Sequence, residues 1–285
     1  MFRIKVNATS ANLCVGFDVL GLALDIPNEF EFETADEFEF YGFEPEYCNV
    51  NNNMVYDSYV KYFEKINEKP VPVRIGFKGQ IPVSRGLGSS SSLIVAGVFA
   101  ANYVMKNRLN KDQCFAICAE IEGHPDNVAP AIYGNLVASY KEGNSFIPNL
   151  YNVSNDLKFI TVIPPFKLST HEAREVLPKE LPYADIVHNL SRIVNVPRAF
   201  EVGNIFSLKH LFSDKLHEPY RGKLIKGYDE IKAICENEDV AFCISGSGST
   251  MLIIAYNYDI IAKIQKFGYD IRTPKVGTGV IIEEA

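Results

Sequence analysis

Apolar and polar residues alternate from Phe2 to Val6, the period of a half-buried strand. Phe30, Phe32, Phe38 and Phe40 alternate with Glu29, Glu31, Glu33, Glu37 and Glu39 around Thr34-Ala35-Asp36. That pattern predicts a hairpin with one acidic, solvated face; a metal site would need partners converging on those glutamates. Helical spacing runs from Asn53 to about Ile66 and stops near Pro70, and Val71–Lys78 reads as a strand. A Gly-rich loop at Arg85–Gly88 then leads into a long helix of small and apolar residues, Ser90 to Met105. A helix at Lys111–Ile121 and a strand at Leu136–Tyr140 follow, and polar Lys141–Asp156 marks a crossing into a second half.

The second half opens with a strand, Lys158–Ile163, stopped by Pro164-Pro165. Helices are expected at Thr170–Leu177, Asp185–Glu201, Leu224–Asn237 and near Ile260–Phe267. Strands are expected at Val240–Ser245, Thr250–Ala255 and Val276–Ile282. Strand and helix content in both halves argues an α+β protein of two lobes, residues 1–150 and 151–285.

At 285 residues and 47% hydrophobic content the chain can bury a large core. Its formal net charge of −7 disfavours nucleic acid as a partner, because an acidic surface repels a phosphate backbone. No apolar run reaches the roughly 18–20 residues of a membrane span, and no signal-peptide pattern opens the sequence. The six cysteines form no Cys-x-x-Cys pair, and Cys114 and Cys118 read as buried small hydrophobes. These features imply a reduced, cytoplasmic protein.

The strongest chemical signal is Pro82-Val83-Ser84-Arg85-Gly86-Leu87-Gly88-Ser89-Ser90-Ser91-Ser92, between a strand and a helix. Glycines let a backbone approach a ligand, a helix N-terminus carries partial positive charge, and serine hydroxyls bind phosphate oxygens or Mg²⁺. A Gly-Ser turn that only caps a packed helix is the plainer reading, and the loop alone does not separate the two. No Gly-Lys-Ser/Thr follows the glycines, so it is not a Walker loop.

This segment resembles the phosphate loop of the GHMP kinases. Asn7-Ala8-Thr9-Ser10-Ala11-Asn12-Leu13-Cys14-Val15-Gly16-Phe17-Asp18 resembles that family's N-terminal motif, and Ile244-Ser245-Gly246-Ser247-Gly248-Ser249-Thr250 its C-terminal glycine motif. Within the family, Glu122-Gly123-His124-Pro125-Asp126-Asn127-Val128-Ala129-Pro130-Ala131, Ser169-Thr170-His171-Glu172-Ala173-Arg174 and His217-Glu218-Pro219-Tyr220-Arg221 resemble the homoserine kinases. That branch commonly has Gly-Pro where Cys14-Val15 stands, and other residues at Ser247 and Ser249.

The resemblance implies a ribosomal-S5-domain-2-like first lobe, a ferredoxin-like second lobe, and transfer of phosphate from ATP to L-homoserine with Mg²⁺. It also implies a homodimer. By the same resemblance, the nucleotide lies against Pro82, Arg85, Gly86, Leu87, Gly88, Ser89, Ser90, Ser91 and Ser92. Ser90 and Glu122 hold the metal, with Ser89 and Glu120 competing for those places. Asn12, Asp18, His124, Asp126, Arg174, Arg221 and Gly246 hold the acceptor, and Asp18, Arg174 and Asn127 act in catalysis. Arginines suit a carboxylate because they bind it through two parallel hydrogen bonds. Asn127 stands where mevalonate kinases and galactokinases carry an aspartate base, which implies transfer without a dedicated base. Each residue alone has a plainer reading: Asn12 and Asp18 as turn formers, His124 as a loop histidine, Arg174 as a solvated ion-pair residue beside Glu172 and Glu175. Their joint occurrence singles them out. Another acceptor alcohol (mevalonate, a sugar or shikimate) and a catalytically silent binding protein are the competing readings.

Overall fold

The computed structural model describes residues 1–143 and 145–284. Strands β1 (Phe2–Ala11) and β2 (Leu20–Thr34) pair antiparallel over nearly their whole length. In the second half of β2, Phe30 and Phe32 are buried while Glu29 and Glu31 keep partial exposure, as the alternation predicts. Residues 20–24 are buried throughout, because Leu20, Leu22 and Leu24 pack against the second lobe. Pro27 sits where the pairing slips opposite Asn7 and Ala8, a bulge that tolerates a residue without an N–H.

The hairpin expected around Thr34-Ala35-Asp36 does not form. Strand β3 (Glu39–Tyr41) instead pairs in parallel with β4 (Val73–Lys78), whose other edge pairs with β2. The 34–38 segment contains no glycine for the positive φ of a tight turn, and Phe38 and Phe40 pack edge-on against Tyr56.

Helix α1 (Met54–Lys65) is capped by Asn53, whose side chain accepts the N–H groups of Val55 and Tyr56. α2 (Ser89–Val104) follows the Gly-rich loop, and α3 (Lys111–Glu122) opens on a capping box between Asn110 and Gln113. Cys114 and Cys118 lie in the core beneath it. α4 (Pro125–Tyr133), absent from the expected elements, carries two prolines. Pro125 occupies the first turn, where a missing N–H is harmless. Pro130 cannot bond the carbonyl of Asp126 four residues back, and β2 approaches that carbonyl at Gly21. A Cβ on Gly21 would lie 1.8 Å from the Asp126 oxygen.

β5 (Leu136–Glu142) and β6 (Ser145–Tyr151) form a hairpin joined to β2 through β5. The polar 141–156 segment is therefore partly a strand of the first sheet, and only its last residues cross to the second lobe. That lobe holds β7 (Lys158–Ile163), α5 (Thr170–Glu175), α6 (Tyr183–Ile193), α7 (Val196–Glu201), α8 (Ile205–Leu211), α9 (Glu218–Arg221) and α10 (Tyr228–Glu236). It continues with β8 (Ala241–Ile244), β9 (Met251–Ala255), α11 (Ile261–Ile264) and β10 (Asp270–Arg272). The helix expected over Asp185–Glu201 is broken between Ile193 and Val196, because Pro197 has no N–H to donate to the Ile193 carbonyl four residues back. The sheet order β10-β7-β9-β8, all antiparallel, is the ferredoxin-like arrangement.

The chain then returns to the first lobe. β11 (Ile281–Glu284) pairs with β1, completing a seven-stranded sheet. A cut after residue 150 would leave this strand on the wrong side. Leu22, Leu24, Phe159, Phe200 and Leu252 share one core cluster, so the two lobes are joined through buried apolar contact. Among the described residues, no helix is long and apolar enough to cross a membrane.

Gly21→Ala is expected to lose about 1–3 kcal/mol of stability, since backbone rather than a flexible side chain must yield. Chemical denaturation of the variant and the parent protein measures it.

Candidate active site

Two glycines with positive φ, Gly86 (+72°) and Gly88 (+68°), shape the turn between β4 and α2. A Cβ on Gly86 would lie 2.1 Å from the Ser245 carbonyl oxygen, and one on Gly88 2.0 Å from Thr9 Oγ1. The loop is thus wedged between β1 and the turn joining β8 to β9. Its carbonyls are all engaged. Ser84 O accepts Leu168 N–H at 3.1 Å, Arg85 O accepts Thr250 N–H at 3.0 Å, and Leu87 O accepts Thr9 N–H at 3.1 Å. Gly86 O accepts the Ser245 hydroxyl at 2.7 Å. The first N–H groups of α2 have no partner inside the helix, and with the helix dipole they make an anion cradle.

The cradle borders a cleft of about 480 Å³ between the lobes. Arg85, Gly86, Gly88, Ser89 and Ser90 line it, with Glu122, Asn12, Asp18, His124, Asp126, Asn127, Arg174, Arg221 and Gly246. Pro82, Leu87, Ser91 and Ser92 do not. Leu87 is buried in the core between the lobes, and the Ser92 hydroxyl donates to Ser89 O while accepting from Asn28. Arg85 also departs from expectation: its guanidinium donates to the carbonyls of Val83, Ser84, Pro164 and Pro165, so it fastens the lobes together.

At the start of α2, Ser90 Oγ donates to Glu122 Oε2 at 3.0 Å and Ser91 Oγ to Glu122 Oε1 at 2.9 Å. Glu120 points elsewhere and pairs with Lys65 at 2.7 Å on the surface. The donor set at Glu122 is all oxygen. No group of three or more acidic, His or Cys ligands exists among the described residues. Such a site suits a hard cation that keeps its own waters and takes further oxygens from a phosphate, and Mg²⁺ fits it.

The other end is built on the loop after β1, where Asn12, Cys14 and Asp18 all have positive φ. Asn and Asp tolerate that region, and Asn12 ties the loop. It accepts Asp18 N–H at 2.9 Å and donates to Gly246 O at 3.0 Å. Asp18 Oδ1 meets Arg174 Nη2 at 2.7 Å, and α5, which carries Arg174, is fixed by a capping box between Ser169 and Glu172. Arg221 is buried and donates through Nε to Ala173 O and through Nη1 to Gly246 O. Both guanidinium groups lie over the Phe17 ring, at 5.7 and 5.1 Å. Burial, and then the charge of Arg174, lower Arg221 to about 10, so it stays protonated at neutral pH. Burial, reinforced by Asp18, raises Asp126 to about 7 despite Arg174.

Asn127 Oδ1 accepts the Thr9 hydroxyl at 2.7 Å, directly beneath Gly88. Thr9 is a residue the sequence reading left out, although it lies inside the Asn7–Asp18 string. Thr170 and Ser247 also line the cleft from within quoted strings. Phe43 and Tyr47 also line it; they lie beside an Asn-rich stretch without periodicity, and nothing in the pattern announces them.

The profile of the GHMP kinases N terminal domain matches residues 53–135, and that of the GHMP kinases C terminal domain residues 199–270. The chain is similar to the homoserine kinase of Clostridium botulinum strain Langeland, 40% identical over 91% of this chain and 88% of the relative. It is likewise similar to that of Clostridium beijerinckii, 40% identical over 89% and 86%. The crystal structure of homoserine kinase from Cytophaga hutchinsonii superposes with a TM-score of 0.87 at 25% identity, covering 99% of this chain and 96% of that one.

The buried Asp126 gives stability a pH signature. Its folded value of about 7 exceeds the ordinary 3.8, so between those values the unfolded chain has released a proton that the folded one retains. Its contribution is fully present below about 4 and is lost as pH rises through 7. The melting temperature of Asp126→Asn is therefore expected to gain on that of the parent protein from pH 4 to 7 and hold a constant offset above. A pH series of thermal melts checks this.

Proposed function

The chain belongs to the GHMP kinases, and from that premise we propose that it transfers the γ-phosphoryl group of ATP to the side-chain hydroxyl of L-homoserine. The product, O-phospho-L-homoserine, is an intermediate of threonine biosynthesis. The observation carrying the reading is one cleft with two chemically distinct ends. A backbone cradle and an oxygen pair suit nucleotide phosphates and Mg²⁺. Two arginines over one aromatic ring, beside Asp18 and Asp126, suit an acceptor bearing both a carboxylate and an ammonium group. Mevalonate, sugars and shikimate have no ammonium for that acidic pair.

Phosphoryl transfer needs placement and charge stabilisation more than covalent help. The amides at the start of α2 receive the phosphates, and Ser90 and Glu122 are the residues to hold Mg²⁺. Bound there, the ion would supply positive charge against the phosphates. Arg174 and Arg221 grip the acceptor carboxylate. Asp18, fixed by Arg174 and by the Asn12 loop, orients the hydroxyl toward the cradle. His124, at the start of α4, and Gly246, where a side chain would crowd Gly86, complete the wall.

Asn127 is an amide with its oxygen already committed to Thr9, so it cannot take up the hydroxyl proton. That proton leaves to a phosphate oxygen or to solvent as the new O–P bond forms and the bond to ADP breaks. Holding the reactants in line supplies the acceleration.

A coupled ADP-release assay with Mg-ATP across L-homoserine, mevalonate, galactose, shikimate and L-threonine tests the assignment. Turnover with L-homoserine alone is expected. Turnover with another alcohol instead would replace the acceptor, and a folded, ATP-binding protein inactive on all five would point to a binding role. For the mechanism, Asn127→Ala is expected to lose less than the roughly 10²–10⁴-fold that removing a general base costs. Complete loss of turnover with both substrates still bound would count against transfer without a base.

A further inference from the structure

Behind the acceptor end, Asp214, His217 and Glu218 form a buried polar cluster that no catalytic step uses, with 8%, 0% and 5% of their surfaces exposed. His217 Nε2 lies 2.7 Å from the carbonyl oxygen of Cys14, in the loop that carries Asp18. A carbonyl only accepts, so Nε2 carries the hydrogen. Nδ1 is buried without a partner, and burial lowers the pKa of the ring, holding it neutral. The imidazole stacks on Phe17, with ring centres 5.2 Å apart and planes inclined by 28°. The same phenyl ring carries the guanidinium groups of Arg174 and Arg221. Asp214 Oδ2 accepts the backbone N–H groups of His217 and Glu218 at 2.7 and 2.8 Å, and its Oδ1 accepts Asn189 Nδ2 at 2.6 Å, so the histidine sits on a fixed base.

We propose that His217 is a positioning residue for the acceptor: its hydrogen bond to Cys14 fixes the Asp18 loop, and its stack on Phe17 sets the plane on which both arginines rest. It touches no substrate and acts through those three side chains. The position asks for a flat ring and a directed donor together. Phenylalanine supplies only the first and glutamine only the second. The inference rests on the reading of this end as the amino-acid site.

The test uses His217→Phe, His217→Gln and Phe17→Leu in the full chain, with steady-state kinetics in ATP and in L-homoserine. Each is expected to raise the KM for L-homoserine by about tenfold, with the KM for ATP within about twofold of the parent. Phe17→Leu removes the platform while keeping the histidine, so it decides the matter if the His217 variants do not fold. Unchanged KM for L-homoserine, or an equal rise in both KM values, overturns the proposal. Side-chain ¹⁵N spectra of the ligand-free proteins give a readout independent of turnover. Displaced Arg174 and Arg221 Nε–H signals with an unmoved Arg85 signal support positioning, and three unmoved signals overturn it. A parent protein inactive on L-homoserine whose spectra still show the displacement would retire the substrate and leave the positioning role standing.

Discussion

Gly86 and Gly246 bring one backbone from each lobe together, with room for a Cβ on neither. Hydrogen bonds from Ser245 and Thr250 to the carbonyls of Gly86 and Arg85 hold the two strands of chain in register. Much else follows from this contact. It turns the loop carbonyls away from the cleft, which leaves the amides to face an anion. It also gives the second lobe a direct share in the phosphate site, since moving β8 or β9 moves the loop. Arg85, spread over four carbonyls at the same junction, extends the tie to Pro164 and Pro165.

At the opposite end the electrostatics are unbalanced. Two guanidinium groups lie over one phenyl ring, and the Asp18 carboxylate pairs with Arg174. Asp126 sits nearby with its proton held to about pH 7 by burial. A net positive charge lining this end of the cleft favours an anionic group arriving from outside. The acidic surface of the whole chain has no bearing on this, since the field inside the cleft is set by groups a few ångströms away.

Local patterns were legible in the sequence wherever one period ruled an entire element. Phe2–Val6 keeps its alternation in β1, β7 stops at Pro164-Pro165 as predicted, α3 begins at the expected Lys111 and α1 one residue after Asn53. Part of the glycine loop and all seven proposed acceptor residues meet in one cleft, because residues of one short motif stay close in space. What escaped has physical causes. α4 hides behind two prolines that are tolerated only because one is in the first turn and the other leaves a carbonyl abutting a glycine. The start of β2 is buried on both faces and shows no alternation to read. β3 has the right period but the wrong neighbour, since side-chain pattern fixes a face and not a partner strand. Arg85 lies inside the phosphate motif, yet nothing local reveals that its charge is spent on the far wall.

The return of β11 to the first sheet sets an order of events during synthesis. β1 is made before the second lobe, while the strand covering its outer edge is made only after it. Throughout that interval β1 presents unpaired backbone, the feature that invites pairing between chains. The nascent first lobe, before β11 is made, is therefore exposed to misassembly, and closure of the sheet waits on synthesis of the whole second lobe.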